Sequence, residues 1–317
     1  MRTAPEIVRP SLVLRVALAG VLISAGAAAS TAEPSAPTND GLETVTVYAR
    51  RITPMTRVAA TVTVVDEARI DATLASDIRE LVRYEPGLVV RNDPFRFGLD
   101  TISIRGLGGN RVAVEIDGIP AAGGFAVGSY ADSGRAFLDT AFVHRVEFLR
   151  GPASSLYGSE AIGGIVAMST LTPRHLLQDT AGDGLGLRTQ AGYDTQDAGW
   201  HAAALLAGQA GPGDWLLGYV RREGHEVDTA ADVEPDPRNS RSDAVLAKYV
   251  LPDLAGGPLT FAFEGGRLEQ QTSVDAFLGV GRFVSTTRLE GDDRMQRYRV
   301  SIDQALGGGG GWSMLTR

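Results

Sequence analysis

Residues Arg145–Thr170 read RVEFLRGPASSLYGSEAIGGIVAMST, and this stretch contains two strand-like runs on either side of a sharp break. The first run begins two residues before the stretch and covers Val143–Arg150. It is rich in branched and large apolar residues, as strands are. The dipeptide Gly151-Pro152 ends it. The second run, Ile162–Ser169, closes the stretch. The pattern predicts two short strands of a compact domain.

The residues before this stretch predict a mixed α and β domain. Ser76 is a candidate N-cap for a short helix, because apolar residues follow it at helical spacing as far as Val82. The helix is expected to stop at Pro86-Gly87. Ala121–Asp132 has the composition of a loop. Further short strands are predicted at Thr61–Val65, Leu88–Arg91, Thr101–Arg105 and Arg111–Asp117. Together these elements predict an α+β domain over residues 52–174.

From residue 175 onward, apolar and polar residues alternate and no helical spacing is found. In Leu259–Arg267, for example, Phe261 and Phe263 lie on one side of the predicted strand and Glu264 on the other. Alternation of this kind places one face of a strand in an apolar environment and the other in a polar one. Seven strands are predicted, at Leu185–Asp194, Trp200–Leu206, Asp214–Arg222, Asp243–Leu251, Leu259–Arg267, Arg297–Asp303 and Trp312–Arg317.

Two architectures fit this alternation, a soluble β-sandwich and a transmembrane β-barrel. The connections distinguish them, because short Gly- and Pro-rich turns alternate with long polar loops at Gly224–Arg241 and Gln270–Arg294. Outer-membrane barrels have short turns on one side and long loops on the other. We therefore predict that residues 175–317 are about the first seven strands of an antiparallel barrel. Barrels with room for a folded domain have about 16–22 strands, so the chain is expected to lack most of its barrel.

The first 32 residues have the pattern of a secretory signal peptide. Arginines precede an uncharged apolar run at Val16–Ala29, and small residues lead to a cleavage site that we place after Ala32. The alternative is a buried N-terminal helix. Residues 33–51 form a linker, in which the alternating segment ETVTVYA at residues 43–49 has no neighbour to pair with. It is either the edge strand of the next domain or a strand offered to another protein.

Composition excludes several classes of function. The chain has 317 residues, no Cys and a formal net charge of −8, which excludes thiolate chemistry and disfavours a nucleic-acid binder. No run approaches the ~20 apolar residues of a spanning helix. The 4 histidines are dispersed, with no spacing typical of a metal site or a catalytic triad. The sequence therefore predicts no enzyme activity, no catalytic residue and no certain metal site.

Three motifs carry a resemblance to a known family. DIRELVRYEPGLVV (Asp77–Val90), ISIRGLGGNRVAVEIDGIP (Ile102–Pro120) and the Arg145–Thr170 stretch resemble the plug of TonB-dependent outer-membrane receptors. The ETVTVYA segment resembles the family's TonB box. The resemblance extends from this box to the last residue, and it implies an α+β plug domain inside a transmembrane antiparallel β-barrel. It is closest to the haem and haemoprotein receptor branch, although siderophore receptors share much of it.

This resemblance implies a receptor in the bacterial outer membrane that imports an iron-bearing ligand. Haem is the expected ligand and a ferric siderophore is the alternative; neither would serve as a catalytic cofactor. The partners implied are TonB, outer-membrane lipid, and an extracellular haem, haemoprotein or ferric chelate. A signalling receptor would need a further domain before the box, and a soluble β-protein would not show the asymmetry of the loops. TonB is expected to bind by strand addition to Glu43, Thr44, Val45, Thr46 and Val47.

Three arginines of the motifs, Arg105, Arg111 and Arg150, would be costly in a dry core without partners. In the family, arginines at the motif positions of Arg105 and Arg150 meet carboxylates of the barrel wall. Plug–barrel contacts are therefore expected at these three arginines and at Glu147. The Gly-rich run between Arg105 and Arg111 lacks the frame of a phosphate loop, and we interpret it as a tight turn. Local pairing inside the plug stays open, with Glu115, Asp117 or Glu147.

The candidate ligand-binding residues lie in two predicted loops. Haem receptors commonly use a plug histidine as an axial ligand, but the loop Ala121–Asp132 contains none. It offers Phe125 and Tyr130 instead, and tyrosine is a known ligand of haem iron. His225, in the first long loop, is a third candidate, for which a solvated loop histidine is the alternative interpretation.

Overall fold

The computed structural model describes most of one compact unit, Leu42–Arg317. The residues described are 44–45, 53–54, 61–73, 75, 77–90, 102–121, 123, 125–127, 131–133, 138–178, 184–226, 236–254, 257–275, 278–307 and 313–316. Residues 1–41 lie outside the described residues. The signal peptide and its cleavage site therefore stay predictions.

The first part of this unit is an α+β domain. Its strands are β1 (Thr44–Val45), β2 (Thr53–Pro54), β3 (Thr61–Asp66), β4 (Leu88–Val90), β5 (Ile102–Ile104), β6 (Val112–Ile116), β7 (Ile119–Pro120), β8 (Phe125–Val127), β9 (Ala131–Ser133), β10 (Val143–Arg150) and β11 (Gly164–Thr170). Its helices are α1 (Glu67–Thr73), α2 (Ile78–Val82), α3 (Ser154–Tyr157) and α4 (Pro173–Leu177), with 3₁₀ turns at Gly109–Arg111 and Thr140–Phe142. Among the residues described, no helix has the length and apolar character needed to cross a membrane.

A five-stranded sheet in the order β3-β10-β11-β6-β7 forms the centre of this domain. β10 is antiparallel to β3 and to β11, and β11 is parallel to β6. The two strands predicted from the opening stretch are thus confirmed as neighbours. The start of β11 needs a glycine, because Gly164 has φ +147° and a Cβ there would lie 2.2 Å from the carbonyl oxygen of Leu149 on β10. Phe148 and Val166 are fully buried in the core beneath the sheet.

Some local features differ from the sequence prediction. The N-cap of α2 is Asp77 rather than Ser76, since its carboxylate accepts a hydrogen bond from the Glu80 backbone N–H at 2.9 Å. A carboxylate at this position also interacts favourably with the helix dipole. The prediction of an unstructured loop at Ala121–Asp132 is wrong in part, because β8 and β9 form a short hairpin there. The helices α1 and α4 are not predicted, since α1 buries Ile70 alone and α4 buries Pro173 and Leu176, and neither set repeats at helical spacing as the apolar residues of α2 do.

The second part of the unit is an antiparallel sheet of seven strands that lie in chain order. They are β12 (Leu185–Asp194), β13 (Gly199–Ala210), β14 (Gly213–His225), β15 (Arg238–Leu254), β16 (Gly257–Ser273), β17 (Glu290–Gly307) and β18 (Ser313–Thr316), with a 3₁₀ turn at Gly281–Phe283. The seven predicted strands are confirmed, and β12 has the predicted bounds. The long loops are shorter than predicted, because β14 to β17 continue into them. A ladder of backbone hydrogen bonds does not depend on whether the side chains are apolar.

The register of these strands separates their two faces. Leu217, Phe263 and Val300 lie on one face and are 56%, 38% and 75% exposed. Leu205 and Leu246 lie on the other face and are buried against the α+β domain. The apolar residues that the alternation singled out thus point away from the domain, as a lipid-facing surface would require.

Candidate functional site at the contact between plug and wall

One row of side chains crosses the inner face of the seven-stranded sheet. We call β12–β18 the wall and the α+β domain the plug. Strand register aligns one residue of each wall strand from β12 to β17 along this row. The members of this inner row are Arg188, Leu205, Gly218, Leu246, Glu264 and Arg299. The row is therefore apolar at its centre and charged at both ends.

The centre of the inner row holds the plug by apolar contact. Phe142 and Leu171 of the plug are fully buried, and they pack in one cluster with Leu205, Leu216 and Leu246 of the wall. Burial of a large apolar side chain contributes about 1.5–3 kcal/mol. Burial of this apolar cluster therefore stabilises the contact between the plug and the wall.

Gly218 provides the space that Phe142 occupies. A Cβ at position 218 would lie 2.8 Å from Cε1 of Phe142, which is closer than two carbon atoms pack. We expect Gly218→Ala to reduce the free energy of unfolding by about 1–3 kcal/mol through overpacking. Denaturant unfolding of the full-length receptor would measure this. Ala204→Val, which adds carbon on the outward face, is the control and should have little effect. Equal stability of both variants would contradict the packing described here.

At the β12 end of the inner row, Arg188 bridges two carboxylates of helix α1. Its Nη1 donates to Glu67 and its Nη2 to Asp71, four residues further along the same helix face. His144 on β10 also contacts Glu67, with 2.9 Å between Nδ1 and Oε2. The bond with His144 lowers the pKa of Glu67, burial opposes this, and Arg188 lowers it further. Glu67 therefore stays charged. We call this contact the Arg188 clamp.

His175 lies behind the Arg188 clamp and stacks on His144. The two ring centroids are 3.8 Å apart and the planes differ by 14°. His175 Nδ1 accepts a hydrogen bond from the backbone N–H of Thr172 at 3.0 Å. Burial, followed by the effect of His144, lowers the pKa of His175 to about 4. The ring is therefore neutral at neutral pH, which allows it to stack on its neighbour without charge repulsion.

At the other end of the inner row, Lys248 and Arg299 converge on Asp117. Lys248 Nζ lies 3.4 Å and Arg299 Nη2 lies 2.9 Å from Asp117 Oδ2. The same carboxylate accepts bonds from the Thr170 backbone N–H at 2.8 Å and its hydroxyl at 2.7 Å. Burial raises the pKa of Asp117, but Lys248, Arg299 and Thr170 more than offset it, so the pKa lies below its ordinary value. We call this contact the Asp117 clamp.

A third polar contact joins the plug to β14. Arg222 Nε and Nη2 lie 2.5 and 2.7 Å from the carboxylate oxygens of Asp139. Arg222 also lines a cavity of ≈ 230 Å³, together with Asp77 and His201. In all three contacts the plug supplies the carboxylate and the wall supplies the cation.

Two of the charged residues that the sequence singled out pair within the plug. Arg150 donates to Glu85 at 3.1 Å, so its partner is none of the three carboxylates considered for local pairing. Burial raises the pKa of Glu85, but bonds from Arg69 and other donors leave it below the ordinary value. Glu147 pairs with Arg145 at 2.8 Å. The segment after α2 brings the Glu85 carboxylate to the Arg150 end of β10. No local sequence pattern predicts that these two side chains meet.

The other two predicted contact residues also have partners in the plug. Arg105 Nη2 lies 3.4 Å from the Thr61 hydroxyl, and Arg111 Nε donates to the Gly108 carbonyl at 3.1 Å. A contact with the barrel therefore stays a prediction for Arg105, Arg111, Arg150 and Glu147.

The segment that resembles a TonB box is paired in part. Thr44–Val45 lies antiparallel to Thr53–Pro54, so the expectation that nothing nearby pairs with this segment is wrong for these two residues. The pairing is short, and Pro54 has no N–H to donate. Glu43, Thr46 and Val47 lie outside the described residues. Binding of TonB to this segment stays a prediction.

The ligand-binding candidates are placed only in part. Phe125 begins β8, and Tyr130 lies outside the described residues. His225 ends β14 and is exposed, with its Nδ1 2.9 Å from Asn239 Oδ1. Within the described part of the chain, no group of three or more His, Asp or Glu side chains could hold a metal ion. These three residues therefore stay candidates.

Comparison with known proteins identifies the α+β domain. Residues 54–165 match the family model described as TonB-dependent Receptor Plug Domain. The vitamin B12 transporter BtuB of Vibrio cholerae is 30% identical over 215 residues, which cover 66% of this chain and 33% of the relative. A hemin receptor of Yersinia pestis is 31% identical over 165 residues, which cover 51% of this chain and 23% of the relative. The chain thus spans a third or less of the length of these relatives.

A solved structure shares the fold of both parts of the chain. The hemophore receptor HasR of Serratia marcescens, in complex with its hemophore HasA and heme, matches with a TM-score of 0.63 and 17% identity. The match covers 80% of this chain and 36% of that one. The described sheet accordingly has the fold of part of that receptor's barrel.

Residues 54–165 belong to the plug-domain family of TonB-dependent receptors, and the α+β domain followed by the antiparallel sheet has the fold of a receptor plug and barrel strands. The relatives named above are transporters and receptors rather than enzymes.

Proposed function

We propose that this protein is an outer-membrane receptor that imports an iron-bearing ligand with energy delivered by TonB. The observation that carries this proposal is the attachment of the plug. An apolar centre and three carboxylate–cation contacts hold it against the inner face of the wall. The wall strands bond to one another and not to the plug sheet. The plug can therefore be displaced while the barrel stays intact.

Residues Glu43–Val47 are the proposed point of attachment for TonB. The described residues of this segment, Thr44 and Val45, pair with Pro54 and Thr53. If these two residues leave Thr53 and Pro54 to pair with a strand of TonB, few hydrogen bonds are lost at the described positions. Strand addition then needs an extended main chain more than particular side chains, and the alternating Thr and Val residues favour that conformation.

Haem is the proposed ligand. The plug motifs resemble the haem receptor branch, and a hemin receptor and a hemophore receptor are among the relatives. Phe125, Tyr130 and His225 are the proposed contacts, with the Tyr130 phenolate as an iron ligand. A ferric siderophore is the alternative, because siderophore receptors share much of the motif pattern. The motifs do not single out one ligand, since a vitamin B12 transporter is about equally similar over a longer part of the chain. Receptors for different classes of ligand thus have similar plug sequences.

Binding of haemin to the full-length receptor tests the proposed ligand. A phenolate ligand gives ferric haem a charge-transfer spectrum distinct from that of a bis-imidazole complex. We expect Tyr130→Phe to shift the visible spectrum and to weaken binding. Phe125→Leu is the matched control, and it should cost only packing.

Two results would contradict parts of this proposal. A receptor that ignores haemin and binds ferric enterobactin would establish the siderophore alternative. Haemin binding with an unchanged spectrum in Tyr130→Phe would exclude Tyr130 as the iron ligand.

A further inference from the structure

The contacts between the plug and the inner row lie at one end of the plug sheet. In the register of β3 with β10, Thr61 faces Arg150 at one end and Asp66 faces Arg145 at the other. Glu67 follows Asp66 directly in the chain. Asp117 and Thr170 also lie at the Asp66 end of the sheet. Asp117 directly follows the last residue of β6, and Thr170 is the last residue of β11. The chain from the TonB box enters the sheet at the opposite end, at Thr61.

This arrangement decides how a pull on the N-terminal segment loads the plug. A force applied to the chain before Thr61 pulls β3 along its own axis, while the wall holds the Asp66 end of the sheet. The six residue pairs between β3 and β10 then resist together instead of opening one after another. Since Glu67 follows β3 directly, tension passes along the backbone to Glu67 without crossing another strand.

The two clamps therefore receive the load differently. The Arg188 clamp holds Glu67 and Asp71, the first described wall contacts after β3 in chain order. The Asp117 clamp is reached only across three strand interfaces, from β3 through β10 and β11 to β6. The Arg188 side chain is 21% exposed and bridges two carboxylates, so it holds more strongly than an exposed ion pair.

We propose that the Arg188 clamp is the contact that bears the load first and opens first when the N-terminal segment is pulled. Arg188 is thus a positioning residue for release of the plug. His144 supports the clamp from the side, because it ties Glu67 to β10. This inference rests on the proposed function, in which TonB supplies the pull.

Force spectroscopy on the full-length receptor in a lipid bilayer tests this inference. The receptor is held through its N-terminal segment at constant force, and the time before the first extension is measured. We expect Arg188→Gln to shorten this time roughly tenfold, since charged hydrogen bonds are lost. Asp71→Asn, which leaves Glu67 and His144 in place, should shorten it less. Arg299→Gln is the matched control at the Asp117 clamp and should leave the first extension unchanged.

The variants separate this inference from its alternatives. An unchanged first extension in both Arg188→Gln and Asp71→Asn would refute it. It would also be refuted if Arg299→Gln shortened the first waiting time as much as Arg188→Gln, since the two clamps would then share the load. The instrument supplies the pull, so the result does not depend on TonB. Uptake without TonB would instead refute the proposed function.

Discussion

Replacing Asp117 by Asn is expected to weaken the hold of the wall on the plug by about 3 kcal/mol, the lower end of the cost of breaking a buried ion pair. Asp117 is the carboxylate on which Lys248 and Arg299 converge, and the Lys248 side chain is only 5% exposed. Asn keeps the shape and can still accept from Thr170, but it removes the carboxylate that lies 3.4 Å from the buried Lys248 ammonium.

Native-state hydrogen exchange in the full-length receptor measures this effect. The amides of β6 and β11 should exchange on the order of 100-fold faster in Asp117→Asn, since each 1.4 kcal/mol is about tenfold. Asp243→Asn is the matched control, because Asp243 bonds to Tyr219 and Arg241 on the outward face. An exposed ion pair contributes about 0–1 kcal/mol. Equal exchange in Asp117→Asn and the unmodified receptor would show that the Asp117 clamp does not hold the plug.

Replacing Val45 by Pro is expected to abolish uptake while ligand binding at the cell surface persists. Proline removes a backbone donor from the strand offered to TonB and restricts its φ. Val45 also pairs with Thr53, but this short ladder lies far along the chain from the clamps. Uptake of iron-labelled haemin should fall to the level of cells without TonB, whereas the haemin Kd should not change.

The control for this prediction is Val45→Thr, which keeps the backbone donor and a residue that favours strands. It should transport haemin at the rate of the unmodified receptor. Normal uptake by Val45→Pro, at normal amounts of receptor in the outer membrane, would exclude strand addition at this segment.

The seven wall strands are predictable from sequence because their faces differ in polarity. The period of two places Leu217 and Tyr219 on one face, and it can be recognised in a single strand without knowing its neighbours. Strand ends are less predictable, since β16 and β17 keep their backbone ladder through polar residues as far as Ser273 and Glu290. The helices α1 and α4 lack the repeated apolar positions that reveal α2, since α1 buries Ile70 alone and α4 buries Pro173 and Leu176.

The plug–wall contact is predictable only in part. Arg188, Lys248 and Arg299 stand on the polar side of the alternation, so the sequence places them on the inner face. Their partners cannot be predicted in this way, because Glu67 and Asp117 approach the wall only once the plug sheet has formed and docked. For the motif arginine Arg150, contact with the barrel stays a prediction, since the structure describes one partner for its side chain. The partner of Arg150 is Glu85, which lies in the plug rather than on the described wall.

Uptake of iron-labelled haemin tests the central claim most directly. Cells that make the full-length receptor and lack other haem receptors are compared with and without TonB. A TonB-dependent haem receptor predicts uptake that needs both the receptor and TonB, and surface binding that needs the receptor alone. Receptor-dependent uptake that continues at the same rate without TonB would contradict the account.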